Sequence, residues 1–106
     1  MSADDRFESV SVVKQANVYF DGRCVSHTIF LADGTRKSVG VILPSTLTFE
    51  TGAPEIMEIV AGRCRVRLAG RDATEEYGAG QRFSVAGNSS FQIEALEPVH
   101  YVCHFG

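Results

Sequence analysis

A carboxylate that opens an apolar run ending at a turn glycine is the feature of this sequence that best suits chemistry. Six residues separate Glu55 from Gly62, and Met57 and Ile59 lie between them. In an extended strand, Glu55, Met57 and Ile59 would share one face. A carboxylate at the end of an apolar wall can hydrogen-bond hydroxyls or oppose a positive charge that develops on a substrate. The pattern therefore predicts a pocket with Glu55 at its mouth.

The metal ligands that usually accompany such a glutamate are missing. The spacing is similar to the cupin pattern, in which two histidines precede the glutamate and a third follows the glycine. Counting back four residues from the glutamate puts the histidine pair at Thr48 and Glu50, and counting back three puts it at Phe49 and Thr51; the later histidine position falls on Ser90. Carboxylates without imidazole or thiolate bind zinc or iron poorly. We therefore expect no metal, and we expect Thr48 and Glu50 to line the cavity.

Strand signals dominate the rest of the chain. Short runs rich in Val, Ile, Thr, Phe and Tyr alternate with turn residues about every eight to twelve positions, as in an all-β sandwich or barrel. We predict one all-β domain, a cupin-type jelly-roll barrel over residues 12–106, after a partly ordered leader over residues 1–11. The predicted strands are 10–13, 17–20, 23–31, 36–43, 46–51, 55–61, 63–69, 82–85, 90–96 and 98–105.

Composition excludes several classes of partner. The 106 residues carry a formal charge of −3, which argues against sequence-independent binding to nucleic acid. No run approaches the ~18 apolar residues that span a bilayer, and the N-terminus lacks a secretory signal pattern. The three cysteines are Cys24, Cys64 and Cys103, an odd number that indicates buried free thiols in a reducing compartment. We expect a cytoplasmic protein with no membrane or nucleic-acid partner.

Six ordered blocks of the sequence resemble the bacterial pyrimidine/purine nucleoside phosphorylase family of small cupins. The resemblance extends over about residues 12 to 106. The blocks are residues 17–22, 36–42, 47–49, 54–62, 80–91 and 101–103. The resemblance implies a pentosyltransferase in which inorganic phosphate attacks C1′ of a purine or pyrimidine nucleoside, giving free base and α-D-ribose 1-phosphate. It also implies that no cofactor is needed besides phosphate as co-substrate. A homodimer is expected, as for small cupins generally.

The resemblance suggests roles for particular side chains. Glu55 is expected to hydrogen-bond the ribose hydroxyls or oppose the charge of the oxocarbenium ion, and is the predicted catalytic residue. Arg36 is the preferred phosphate partner because of its forked donors, with Ser38 on the same face. The residues expected to sandwich the base are Met57, Phe83, Phe91 and Tyr101.

Simpler explanations remain open at this point. Glu55 could be a structural carboxylate paired with Arg36 or Lys37, and the aromatic side chains could be core packing. Two other functions also remain: a non-catalytic cupin that binds a sugar or nucleotide, and a metal-dependent cupin isomerase or dioxygenase. The missing imidazoles argue against the metal-dependent enzyme.

Overall fold

A computed structural model of the chain describes residues 5–105, which include eleven β-strands and a short 3-10 turn, Phe20–Gly22. The strands are β1 (Ser11–Val12), β2 (Asn17–Tyr19), β3 (Cys24–Phe30), β4 (Arg36–Ile42), β5 (Ser45–Glu50), β6 (Glu55–Ala61), β7 (Arg63–Leu68), β8 (Glu75–Gly78), β9 (Arg82–Val85), β10 (Ser90–Ala95) and β11 (Val99–Phe105). No helix in the described part of the chain is long and apolar enough to cross a membrane.

The strands form two antiparallel sheets. The larger sheet has the order β1-β3-β4-β11-β6-β9, with β2 also paired to β3, and the smaller has the order β5-β10-β7-β8. Along each strand the inward side chains are apolar, because alternate positions face the core between the sheets. Ile42, Ile59 and Val99 from the larger sheet and Ile93 from the smaller one are fully buried in that core. The prediction of an all-β, cupin-type barrel is confirmed.

All ten predicted strands are present, and the structure adds one strand, β8, that the sequence does not predict. β8 contains two exposed glutamates and ends at Gly78, so its sequence shows no alternation of apolar residues. Among the described strands it pairs with β7 alone, and Arg63 of β7 lies 3.7 Å from Glu76 of β8. An edge strand held by backbone pairing and exposed charges has little apolar signal to detect.

The boundary between the proposed leader, residues 1–11, and the proposed domain, residues 12–106, stays a prediction. Residues 1–4 of the proposed leader lie outside the described residues, and residues 5–10 run exposed or half-buried to β1. β1 pairs with β3 through Ser11 and Val12.

Candidate active site

A small cavity lies inside the barrel, between the two sheets. Its volume is about 170 Å³. It is lined by Tyr19, Ser26, Ser38, Ile42, Phe49, Glu50, Glu55, Met57, Phe91, Tyr101, Cys103 and Phe105. The lining therefore combines aromatic rings with a few hydroxyls, one thiol and two carboxylates, which is the mixture expected of a small-molecule site.

Glu55 is the half-buried carboxylate of this cavity. It begins β6 and lies opposite Phe105 of β11, and its inward direction follows from the alternation that also buries Met57. Burial raises the pKa of the Glu55 carboxyl, and a hydrogen bond from the Cys103 thiol acts against that rise. The site thus holds a carboxylate in a partly desolvated setting, where a charge interacts strongly with a substrate.

Cys103 is the neighbour that contacts this carboxylate. Its partner in the register of β11 and β6 is Met57, so Cys103 and Glu55 are diagonal neighbours on one face. Burial, followed by the nearby Glu55 charge, raises the pKa of the Cys103 thiol to about 12. Because the thiol stays protonated at neutral pH, it donates to the carboxylate rather than competing with it for protons.

Tyr101 contributes a phenol to the same cavity. Its hydroxyl lies 3.4 Å from the Cys24 sulfur, and burial raises its pKa, so the ring stays neutral. Gly40 makes room for it, because a Cβ at Gly40 would lie 2.9 Å from the Tyr101 hydroxyl and closer still to Val25 and Ser26. The absence of a side chain at Gly40 is thus a packing requirement of the site.

Arg36 and Lys37 point to opposite faces of β4. The Arg36 guanidinium lies 4.3 Å from the centroid of the Phe105 ring, and Phe105 lines the cavity. Lys37 instead lies on the outer face, where its amine is 2.7 Å from Nδ1 of His104. The alternative that Glu55 is a structural carboxylate paired with Lys37 is therefore wrong, because the two side chains lie on different faces of the sheet.

Six of the nine predicted site residues line the cavity, and Arg36, Thr48 and Phe83 do not. Those that line the cavity are Ser38, Glu50, Glu55, Met57, Phe91 and Tyr101. Phe83 is buried in the core behind Phe91, at 5.6 Å between ring centroids, and does not line the cavity. Thr48 is exposed on the outer face of the smaller sheet, so the prediction that it lines the cavity is wrong.

The error at Thr48 has a simple geometric cause. Counting back four residues from the glutamate selects Thr48, which points outward from β5, and Glu50, the last residue of that strand, which reaches the cavity. Counting back three selects Phe49, which lines the cavity, and Thr51, which is buried. Ser90 likewise lies outside, beside Thr48, while Phe91 faces inward. Among residues 5–105, no group of three or more His, Cys, Asp or Glu side chains is arranged to hold a metal ion.

Several lining residues lack any predicted role in the site: Tyr19, Ser26, Phe49, Cys103 and Phe105. The alternation of β11 already places Cys103 and Phe105 on the face of Tyr101, so the sequence contains a signal for those two. Tyr19 and Ser26 reach the cavity through the pairing of β2 with β3 and β3 with β4, which no local pattern reveals.

A larger groove of about 1,160 Å³ lies on the outer face of the larger sheet. Much of its floor is formed by valines from the four adjacent strands β3, β4, β11 and β6. These valines are Val25, Val39, Val41, Val102 and Val60. The groove is open and mainly apolar. Polar side chains also line it, among them Glu58 and His104, which lie 2.8 Å apart, but they surround an open apolar floor. We place the candidate active site in the interior cavity, where carboxylate, thiol and hydroxyl groups lie together inside the barrel.

The fold and cavity define a small cupin-type protein with a carboxylate, a thiol and hydroxyls inside the barrel. A family model described as pyrimidine/purine nucleoside phosphorylase matches residues 14–105. A pyrimidine/purine nucleoside phosphorylase from Thiobacillus denitrificans is 72% identical over 102 residues, covering 95% of this chain and 98% of the relative. The chain belongs to the pyrimidine/purine nucleoside phosphorylase family, as its sequence predicts.

Solved structures are similar to this chain in fold. A protein from Acinetobacter sp. ADP1 superposes with a TM-score of 0.94 at 52% identity, covering 96% of this chain and 99% of that one. A putative ethanolamine utilization protein from Salmonella typhimurium has a TM-score of 0.68 at 14% identity, covering 92% and 94% of the two chains. At that identity, the second likeness concerns the fold alone.

Proposed function

We propose that this protein is a broad-specificity nucleoside phosphorylase whose reaction takes place at the interior cavity. The observation that carries the proposal is the half-buried Glu55 carboxylate, which lies among Ser38, Tyr101 and Cys103 in that cavity. A partly desolvated carboxylate beside hydroxyl groups suits a sugar on which positive charge develops. Membership of the family and the names of its relatives support the same reaction.

The reaction proposed is a displacement at C1′ of the ribose. An oxygen of hydrogen phosphate forms the new C1′–O bond as the bond from C1′ to the base nitrogen breaks. The electron pair of the broken bond stays on the base, which takes up the proton that hydrogen phosphate gives up. The products are the free base and α-D-ribose 1-phosphate, so charge and atoms balance.

Particular side chains suit each part of this reaction. Ionised Glu55 would oppose the positive charge on the ribose ring or hold its hydroxyls, and Ser38 and the Tyr101 hydroxyl would add hydrogen bonds. Arg36 supplies a guanidinium at the start of β4, next to Phe105, where it would hold phosphate. The roles of Glu50 at the cavity and of Met57 and Phe91 in its wall are to shape the sugar site.

The proposed reaction calls for phosphate as co-substrate and for no metal or other cofactor. Its three needs are an anion site, stabilisation of a cationic sugar and a proton for the base, and all can be met by side chains. The inward positions of the metal-binding pattern carry Phe49 and Thr51, neither of which offers imidazole or thiolate. Metal analysis of the purified, active protein tests this part; activity that follows metal content would favour the metal-dependent cupin.

The decisive experiment for the function is incubation with uridine or adenosine in phosphate buffer, with a phosphate-free control. We expect free base and ribose 1-phosphate to appear only when phosphate is present. Release of base without phosphate would indicate hydrolysis instead. Binding of nucleosides with no turnover of any of them would indicate the non-catalytic binding protein.

Replacing Arg36 by alanine is expected to raise KM for phosphate by about 10- to 100-fold. The reason is that a hydrogen bond to a charged group contributes about 1.5–3 kcal/mol, and about 1.4 kcal/mol corresponds to a factor of ten. Initial rates measured against phosphate at saturating nucleoside check this. Arg65→Ala is the matched control, because Arg65 is an exposed arginine paired with Glu94 on the smaller sheet. Equal phosphate KM values in both variants would remove Arg36 from the anion site.

We also propose a homodimer formed through the valine-lined groove. Val60 and Ile56 of β6 are 48% and 37% exposed on that face. Glu58 and Arg82, 3.7 Å apart, provide both signs of charge in the same patch, which suits a self-complementary two-fold interface with a second copy. Sedimentation should give twice the monomer mass, and Val60→Glu should give the monomer mass. A monomer in the unmodified protein would contradict this proposal.

We propose a cytoplasmic location on the basis of the cysteines. Cys24, Cys64 and Cys103 are all free and buried among the described residues. Free thiols persist in a reducing compartment.

A further inference from the structure

Two exposed aromatic side chains stand next to each other at the end of β2. Tyr19 is 45% exposed and lines the cavity, and Phe20 is 39% exposed at the start of the 3-10 turn. Both rings meet Phe49 edge to face, at centroid distances of 6.4 Å for Tyr19 and 5.3 Å for Phe20. Half-exposed rings beside a cavity provide a surface on which a flat ligand can stack.

The backbone is strained to bring these two rings together. In an extended strand, neighbouring side chains point to opposite faces. Here Phe20 and Asp21 have φ values of 52° and 55°, in the left-handed region that bulky residues avoid. The Phe20 carbonyl accepts hydrogen bonds from the backbone and the side chain of Arg23, both at 3.2 Å, which hold the turn. Strain that places an exposed ring beside a cavity is typical of functional sites.

The size of the cavity leaves part of a nucleoside outside it. Its volume of about 170 Å³ is below the ~300–1,000 Å³ of pockets that enclose a small-molecule ligand. The hydroxyl and carboxylate groups inside suit the ribose, so the base is the part that extends to the mouth. The aromatic residues expected to sandwich the base are Phe91, Phe83 and Tyr101, and they are only 2%, 5% and 7% exposed. Phe91 is already stacked on Phe49, at 5.6 Å between ring centroids.

We propose that Tyr19, Phe20 and Phe49 form the base-binding surface of the enzyme, which we call the aromatic rim. This inference rests on the proposed function. Stacking on the rim accepts any base, since purines and pyrimidines all have a π face. A base held at an open mouth meets no wall that would exclude the larger purines. The aromatic rim therefore explains a broad tolerance of bases in two ways: it binds them by stacking, and it lies at an open mouth where there is room for a purine.

The first test separates base binding from sugar and phosphate binding. Tyr19→Leu and Phe20→Leu should each raise KM for uridine and for adenosine by about 5- to 100-fold, the range for loss of base stacking. KM for phosphate and kcat should change little, because the stacking acts on substrate and transition state alike. Phe20→Tyr, which keeps a ring, should raise KM for both nucleosides less than Phe20→Leu does. Val18→Ala is the matched control, since Val18 is a 62% exposed apolar residue of the same strand.

A second test does not depend on turnover. The sequence contains no tryptophan, so Phe20→Trp gives the protein a single indole in the aromatic rim. Uridine and adenosine should quench its fluorescence saturably, and free ribose, which has no base, should not.

The outcomes distinguish this inference from the proposed function. Quenching by nucleosides without phosphorolysis by the unmodified protein supports the aromatic rim and refutes the phosphorylase. Phosphorolysis with nucleoside KM values unchanged in both leucine variants refutes the rim and leaves the phosphorylase in place. If the leucine variants do not fold, as judged by circular dichroism, the tryptophan variant decides, and equal quenching by ribose and nucleosides overturns the rim.

Discussion

Replacing Glu55 by glutamine is expected to lower kcat by about 100-fold or more with the fold intact. The amide keeps the shape and hydrogen-bonding oxygen of the carboxylate but cannot oppose positive charge, and loss of one preorganised electrostatic contact costs about 10²–10³ in rate. The measurement is kcat for uridine at saturating phosphate, with circular dichroism to verify folding. Glu94→Gln is the matched control, because Glu94 is a glutamate on the outer face of the smaller sheet, 3.5 Å from Arg65. An unchanged rate in Glu55→Gln would remove Glu55 from the mechanism.

The pH profile gives the same prediction a second readout. Burial raises the pKa of Glu55 in the folded protein. If the reaction needs ionised Glu55, kcat falls as the pH is lowered through its pKa. Because that pKa is raised, the fall should begin at a higher pH than an ordinary glutamate would give. The glutamine variant has no such group to titrate, so this acid limb should be missing from its residual activity. An identical acid limb in both proteins would assign it to another group.

The raised pKa also has a consequence for stability. The folded state binds the proton of Glu55 more tightly than the unfolded state does, so the contribution of Glu55 to stability is fully present below the unfolded pKa and is lost as the pH rises through the folded pKa. Glu55→Gln should therefore be more stable than the unmodified protein at neutral pH, and this advantage should disappear in acid. Such a gain is expected where a functional site keeps a charge in a partly desolvated place.

Alternation along single strands was enough to predict much of the cavity from the sequence. Glu55 and Met57 share the inner face of β6, and Tyr101 and Cys103 share that of β11, as a period of two requires. The same rule explains the error at Thr48, where the strand was identified but the spacing pattern selected the wrong face. A shift of one residue exchanges the two faces of a strand, so a pattern with two permitted spacings cannot choose between them.

Contacts between strands far apart in sequence could not be predicted. The approach of Cys103 to Glu55 depends on the register of β11 against β6, which the packing of the whole sheet determines. The position of Tyr19 depends on β2 lying at the edge of β3. The left-handed conformation of Phe20 has no sequence signal either, since glycine and asparagine are the residues that usually mark it. The aromatic rim follows from these non-local features, and only the structure reveals it.

Gly62→Ala should destabilise the fold more than alanine at a left-handed glycine that has open space around it. Gly62 has φ of +91°, and a Cβ there would clash with the carbonyl oxygen of Pro98 and lie 3.0 Å from the Val99 Cα. The left-handed backbone costs an alanine about 1–2 kcal/mol, and overpacking adds about 1–3 kcal/mol. Because both neighbours are backbone atoms at or just before the start of β11, relieving the clash means moving backbone, either the turn at Gly62 or the central strand of the larger sheet.

Gly70→Ala separates the two contributions. Gly70 also has a positive φ, +77°, but a Cβ there would meet nothing within 4 Å. Gly70→Ala should therefore lower the free energy of unfolding only by the cost of the left-handed backbone, about 1–2 kcal/mol. Gly62→Ala should lower it further, by the additional cost of overpacking. Urea denaturation of the two variants and the unmodified protein measures the difference. Equal losses of unfolding free energy in the two variants would mean that the backbone around Gly62 shifts at little cost. In that case Tyr101 and Cys103, the cavity residues on β11, would be held less rigidly than the close packing at Gly62 indicates.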